Sequence, residues 1–245
     1  MSIRKNNRLE RAPLELSQND EKNQTLDVLQ MFEARLTPSE QRLLSALVRP
    51  ADIQAFLDTV PYSPDKFYRC PLRVLRERTA HCFDGALFAA MALRRLGFPP
   101  LLLELIPNSR DDDHLIAPFK LEGAWGAVAQ SNFSGLRYRE PVYRTLRELA
   151  MSYFEQFFNT AGEKTLAGYR KPINLKMFDR QDWMGSDLGL EELADRLDRL
   201  RILPLLRDKM AANLARVDER SLRAGLMGSN PDGLYKVPAE FHGGS

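Results

Sequence analysis

Cys82 and a histidine are the side chains in this 245-residue chain whose types could together do covalent chemistry. A thiol is a nucleophile only as its thiolate. Its ordinary pKa of about 8.5 falls when the sulfur sits at the N-terminal end of a helix, where unpaired N–H groups and the helix dipole favour an anion. Cys82 occupies such a position, because Phe83 to Leu96 is an almost wholly apolar run broken only by Asp84, Gly85, Arg94 and Arg95. A cysteine nucleophile also needs a base for its proton and a third group to orient that base. The chain has three histidines. His242 lies in the C-terminal tail. His81 adjoins Cys82, but consecutive residues at a helix start point apart. His114 opens a strand that can lie across the N-terminal end of the Cys82 helix, and it is the expected base.

Other polar residues read more simply. Asp84 falls in the first helical turn, where a carboxylate meets free N–H groups. Asp111, Asp112, Asp113 and His114 form a contiguous cluster without a second histidine, a poor ligand geometry, so no metal is expected. No cofactor is implied. Cys70 precedes Pro71 and reads as a packed thiol. The basic residues Arg69, Arg73, Arg76 and Arg78 read as a solvated helix face.

The elements that must position Cys82 and His114 can be read from periodicity. A helix apolar on all sides must be buried, and the fourteen residues from Phe83 to Leu96, two of them arginines, are too few and too charged to span a bilayer. Gly97 and Pro99-Pro100 end the helix. Leu101 to Ile106 reads as a strand, Pro107 to Asp113 as a polar loop and His114 to Leu121 as a second strand. Glu122-Gly123 is a turn and Ala124 to Ala129 the returning strand. Upstream, Thr25 to Leu36 has helical spacing, Thr37-Pro38-Ser39-Glu40 is a capping box opening a second helix, and Ala51 to Val60 is a third. Phe67 to Arg78 is a weaker helix. Downstream, helices are expected over Pro141 to Phe158, Leu190 to Leu206 and Asp208 to Val217, with a loop over Phe178 to Trp183. The whole is an α+β pattern: a loose arm over 1–24, helices over 25–69, a core over 70–135, helices over 136–224 and an irregular tail over 225–245, in one compact domain.

With those residues in place, a resemblance can be stated. Ala80-His81-Cys82-Phe83-Asp84-Gly85-Ala86, followed by Leu93-Arg94-Arg95-Leu96-Gly97-Phe98-Pro99, resembles the transglutaminase-like superfamily of papain-type thiol enzymes. Its members have Cys-x-Asp-x-Ala at a helix start, a Leu-Arg-x-x-Gly-Ile-Pro stop and a histidine opening a later strand, here His114, thirty-two residues beyond Cys82. A glycine turn and a tryptophan strand follow, here Gly123 and Trp125. The likeness covers about Cys70 to Asn132. It implies an α+β core with a buried cysteine-bearing helix packed on an antiparallel sheet, embedded in further helices. Cys82 would be the nucleophile and His114 the base, with His81 and Phe83 beside the oxyanion site. The family's third member, usually Asp, should end the Trp125 strand. Ala129-Gln130-Ser131-Asn132 holds no acid there, so Asn132 takes the place, with Ser131 the alternative. Ile116 stands where the family has an aromatic residue.

The reaction so implied is thiolate attack on an amide carbonyl of a peptide or protein and release of the acyl-enzyme, to water in preference to an amine. A second likeness, to arylamine N-acetyltransferases, rests on Arg78 to Asp84 and His114-Leu115-Ile116 but lacks the paired glycines and the triad aspartate. A third reading keeps the fold as a non-catalytic binding or scaffold protein. Composition adds exclusions. A net charge of +2 without a basic, aromatic-interleaved stripe argues against nucleic acid. No apolar run suits a membrane span or a secretory signal. Two cysteines make no disulfide framework, so a reducing cytoplasm is the expected compartment.

Overall fold

The computed structural model describes residues 28–237. The arm expected over 1–24, residues 238–245 of the final tail and with them His242 lie outside that range. The chain divides into two units, Met1–Arg35 and Leu36–Ser245. In the first, residues 28–33 are helical (α1).

The second unit begins with α2 (Pro38–Ala46), where Thr37 accepts from the Glu40 N–H and Glu40 accepts from the Thr37 N–H at 2.7 Å, the expected capping box. Helices α3 (Pro50–Leu57) and α4 (Pro71–Glu77) each carry proline at the first position, where its missing N–H costs nothing. Then comes α5 (Cys82–Arg95), buried from Phe83 through Arg94. Strands β1 (Leu101–Pro107), β2 (His114–Leu121) and β3 (Ala124–Val128) follow as an antiparallel meander, turned at Glu122 and Gly123, both at positive φ.

The sheet is larger than the meander. Its order is β4-β3-β2-β1-β5-β7, with β4 (Arg139–Tyr143), β5 (Leu166–Arg170) and β7 (Ile202–Pro204), while the short β6 (Ile173–Asn174) pairs with the start of β1. The molecule is thus a mixed helix and antiparallel-sheet fold. Downstream helices are shorter than periodicity suggested. The stretch expected as one helix over 141–158 holds the end of β4, α6 (Leu146–Met151) and a 3-10 turn at Phe154–Gln156. α7 (Leu190–Asp198) stops before β7, α8 is only Asp208–Ala211, and α9 (Glu219–Gly225) closes the series. The loop expected at 178–183 is mostly a 3-10 segment, Leu175–Gln181.

Both faces of the meander are covered. Leu103, Leu105, Ile116, Ala127 and Ala129 join Leu149, Ala150, Tyr153 and Phe157 in a core cluster that includes no residue of α5. Helix α5 packs on β2 from the opposite side, the side of Leu115, Ala117 and Val128 by the alternation of the pleat. Its crossing is close: a Cβ on Gly85 would lie 2.2 Å from the Gln130 Cβ, so only glycine fits.

Candidate functional site

Cys82 is the first residue of α5, after His81 in an extended N-cap conformation. The Asp84 carboxylate, fully buried, folds back to accept from the His81 N–H at 3.3 Å and the Arg69 N–H at 2.7 Å. Arg69, 3% exposed, forms ion pairs with Asp65, Glu77 and Asp84. The basic run is only in part the solvated face expected of it, since the Arg73 and Arg76 side chains are 36% and 47% exposed. Arg69 is a buried tie between the loop at 63–70 and the start of α5, while Arg73 pairs with Glu77 and Asp187 and Arg76 pairs with Glu40. Burial raises the Asp84 pKa to about 7, against the lowering effect of its N–H donors and Arg69.

The Leu115 N–H on β2 and the Tyr62 hydroxyl each act to lower the pKa of the Cys82 thiol. Tyr62 is held alongside by a bridge to Ala80, with the Ser63 N–H donating to the Ala80 carbonyl at 3.0 Å. Even so the thiol is disfavoured as an anion: burial, and then the carboxylates of Asp113 and Asp112, push its pKa well above the ordinary cysteine value. These exceed the lowering by the two hydrogen bonds.

The imidazole expected opposite the sulfur lies elsewhere. His114 pairs with Leu105 across the sheet and shares that residue's face. Its ring packs edge-on against Tyr153 and Phe157, at centroid distances of 6.3 and 6.4 Å. Its Nε2 is 2.7 Å from the Leu136 carbonyl; a carbonyl only accepts, so Nε2 carries the proton. The ring is 4% exposed, and burial lowers its pKa to about 4. No hydrogen bond joins His114 to Cys82 among the described residues. Cys82, His114, Ser131 and Asn132 all line one small cavity of about 50 Å³.

Neither candidate for the third position reaches His114. Asn132 donates from Nδ2 to the Asn230 carbonyl (2.8 Å) and accepts at Oδ1 from the Asn230 N–H (2.7 Å). The Ser131 Oγ accepts from the Phe133 N–H at 3.1 Å. His81 and Phe83 do lie by the thiol. The His81 Nε2 is 3.3 Å from the Phe67 carbonyl, and burial foremost lowers its pKa to about 4.

What the sequence did not reveal is the cleft on the Cys82 side, about 720 Å³ in volume. Its aromatic wall is Tyr62, Tyr68, His81, Phe83 and Tyr235, with the Tyr68 and Phe83 rings 4.3 Å apart. Six carboxylates line it (Asp65, Glu104, Asp112, Asp113, Asp198 and Asp232) against two lysines, Lys66 and Lys236. Glu104 is buried and paired with Arg170. Burial, and then the neighbouring Glu104 carboxylate, raise the Asp113 pKa to about 8. Among the described residues no group of three or more metal-ligating side chains is placed to hold an ion, and no helix is long and apolar enough to cross a membrane.

No protein-family profile matches the chain, and no curated protein is similar to it. Among solved structures, Legionella pneumophila LapG is similar over 42% of this chain and 70% of its own, at 13% identity and a TM-score of 0.31. The EGTA-treated form of that protein is similar over 47% and 78%, at 12% identity and the same TM-score of 0.31. At that score the likeness assigns neither fold nor chemistry.

Proposed function

We propose that the chain is a binding protein whose cleft at the N-terminal end of α5 receives a cationic group, the lysine or arginine side chain of a peptide. The observation that carries this reading is the composition of the cleft wall. Aromatic faces attract cations through their quadrupoles, and here they stand beside carboxyl groups. Of these, Asp65, Glu104 and Asp198 also pair with Arg69 or Arg170, while Asp112 and Asp232 face the recess without an arginine partner among the described residues. Water is partly excluded from such a recess, so these attractions are screened less than on an open surface. Cys82 is then a neutral, hydrogen-bonded thiol in the cleft wall.

The test is a fluorescein-labelled Ala-Ala-Arg-Ala-Ala peptide against the same peptide with citrulline, which keeps the shape of arginine and removes its charge. Fluorescence anisotropy should show at least tenfold tighter binding of the arginine peptide at low salt, a difference that shrinks as salt rises. Equal affinities, or none, refute the reading.

The thiol-enzyme reading is favoured by one feature, the small cavity that Cys82, His114, Ser131 and Asn132 line together. In that reading Cys82 attacks an amide carbonyl and water releases the acyl group, with His114 as base and Asn132 or Ser131 orienting it. It requires the His114 ring to leave the Leu136 carbonyl and turn towards the sulfur across the small cavity that both residues line. Iodoacetamide at pH 6 separates the two: rapid, stoichiometric labelling of Cys82, weakened in His114→Ala, belongs to the enzyme. Labelling no faster than that of a free cysteine belongs to the binding protein.

A further inference from the structure

Residues 229–236 follow α9 and run along the mouth of the Cys82 cleft. Gly228, at φ +73° with open space around its α-carbon, joins them to the end of α9. Residues 232–236 form one wall of the cleft. None of residues 229–236 is fully buried, and Leu234 and Tyr235 are half-buried, so apolar packing holds the segment only in part. A polar latch fixes its start. The Asn132 amide grips the Asn230 backbone through both its N–H and its carbonyl, and the Asn230 Nδ2 donates to the Tyr62 carbonyl at 3.0 Å. Beyond the latch, Gly233 lies flat against Tyr62: a Cβ there would stand 2.8 Å from the ring and 3.3 Å from the Asn132 Nδ2. A side chain at 233 would lift the segment off the ring.

A segment held by a few hydrogen bonds at one point, with a glycine hinge behind and no fully buried residue, belongs to the low-stability end of local opening. We propose that residues 229–236 are a strap that closes the Cys82 cleft and opens at the Asn132–Asn230 latch to admit the ligand. This assigns Asn132 to the gate. It also gives a reason for an amide at that position: Asn presents a donor and an acceptor side by side, matching a backbone N–H and carbonyl, whereas an ionised carboxylate could only accept.

Cys82 serves as the reporter of opening, independently of what the cleft binds. Its labelling is followed at pH 9 with N-methylmaleimide, which is small, and fluorescein maleimide, which is bulky. Their rate ratio cancels the thiolate fraction. In the wild type the bulky reagent should be more than tenfold slower; in Asn132→Ala, which removes the latch, and in Gly233→Leu, which pushes the strap away from Tyr62, the ratio should approach that for glutathione. Cys70, buried at the N-cap of α4, reports global unfolding. A ratio that collapses in either variant while Cys70 stays unlabelled supports the strap. A ratio that keeps its wild-type value in both variants overturns it, as does Cys82 exposure matched by Cys70 in both. An unlatched strap with no gain in binding of the arginine peptide would refute the ligand assignment and leave the strap standing.

Discussion

Acidification separates a buried structural His114 from one poised beside a thiol. Its pKa of about 4, against the ordinary 6.5, means that the unfolded chain takes up a proton on this residue before the folded one does. The stability it contributes is therefore full above pH 6.5, lost as pH falls from 6.5 towards 4, and not lost further once both states are protonated. The gap corresponds to about 3 kcal/mol in full, and about 2 kcal/mol is already lost at pH 5. Asp84 works in the opposite direction, because its pKa is raised to about 7 by burial, so that the folded state binds the proton more readily. Absolute stability at pH 5 therefore mixes the two. The difference between wild type and His114→Gln does not, since Asp84 is common to both. Urea unfolding of each at pH 7.5 and pH 5 should show the wild type losing about 2 kcal/mol more than the variant. Parallel losses would mean that the imidazole is solvated. A wild type that gains on the variant with acidification would mean a raised pKa, as for an imidazolium beside a thiolate, and would refute the placement of the ring.

Two further substitutions probe the frame that holds the site. Gly85→Ala should destabilise by about 1–3 kcal/mol in urea unfolding, because its Cβ meets the Gln130 Cβ at 2.2 Å; helix propensity alone predicts a gain of about 1 kcal/mol, so the sign decides. Asp179→Ala should cost about 3–5 kcal/mol, read as a drop in Tm, since it strands the buried Arg94 guanidinium, which Asp179 holds at 2.6 and 2.8 Å. A loss below 1 kcal/mol, as for an exposed pair, would refute that burial.

Local signals of one-residue resolution were legible. The Thr37 capping box, the apolar run of α5 with its Gly97 stop, the Glu122-Gly123 turn and the place of Cys82 at the first position of a helix all follow from rules that operate within a few residues. Edge strands were not legible. β4 carries Pro141 and exposed Val142, as an edge strand tolerates, and β7 continues the leucine spacing of α7 so evenly that Leu200 and Leu203 read as further helical turns. Nor was the role of Arg69, whose partners Asp65, Glu77 and Asp84 come from three different local structures. The volume of the cleft, formed by loops distant in sequence, has no local signature at all.

The direction of His114 failed for a different reason. A strand with one wet face announces its inward residues by alternation, but β2 is covered on both sides: Leu115 and Ala117 are buried towards α5, and His114 and Ile116 are buried towards Tyr153 and Phe157. Both sets read as inward, so the sequence carries no phase, and a shift of one residue exchanges the faces. The chemical consequence is large. On the thiol's side the residue before His114 is Asp113, a cleft-lining carboxyl that raises the Cys82 pKa, whereas an imidazolium there would lower it. One step along a β-strand thus decides whether an imidazole or a carboxyl faces the thiol, and the arginine and citrulline peptides test the polarity proposed for the recess.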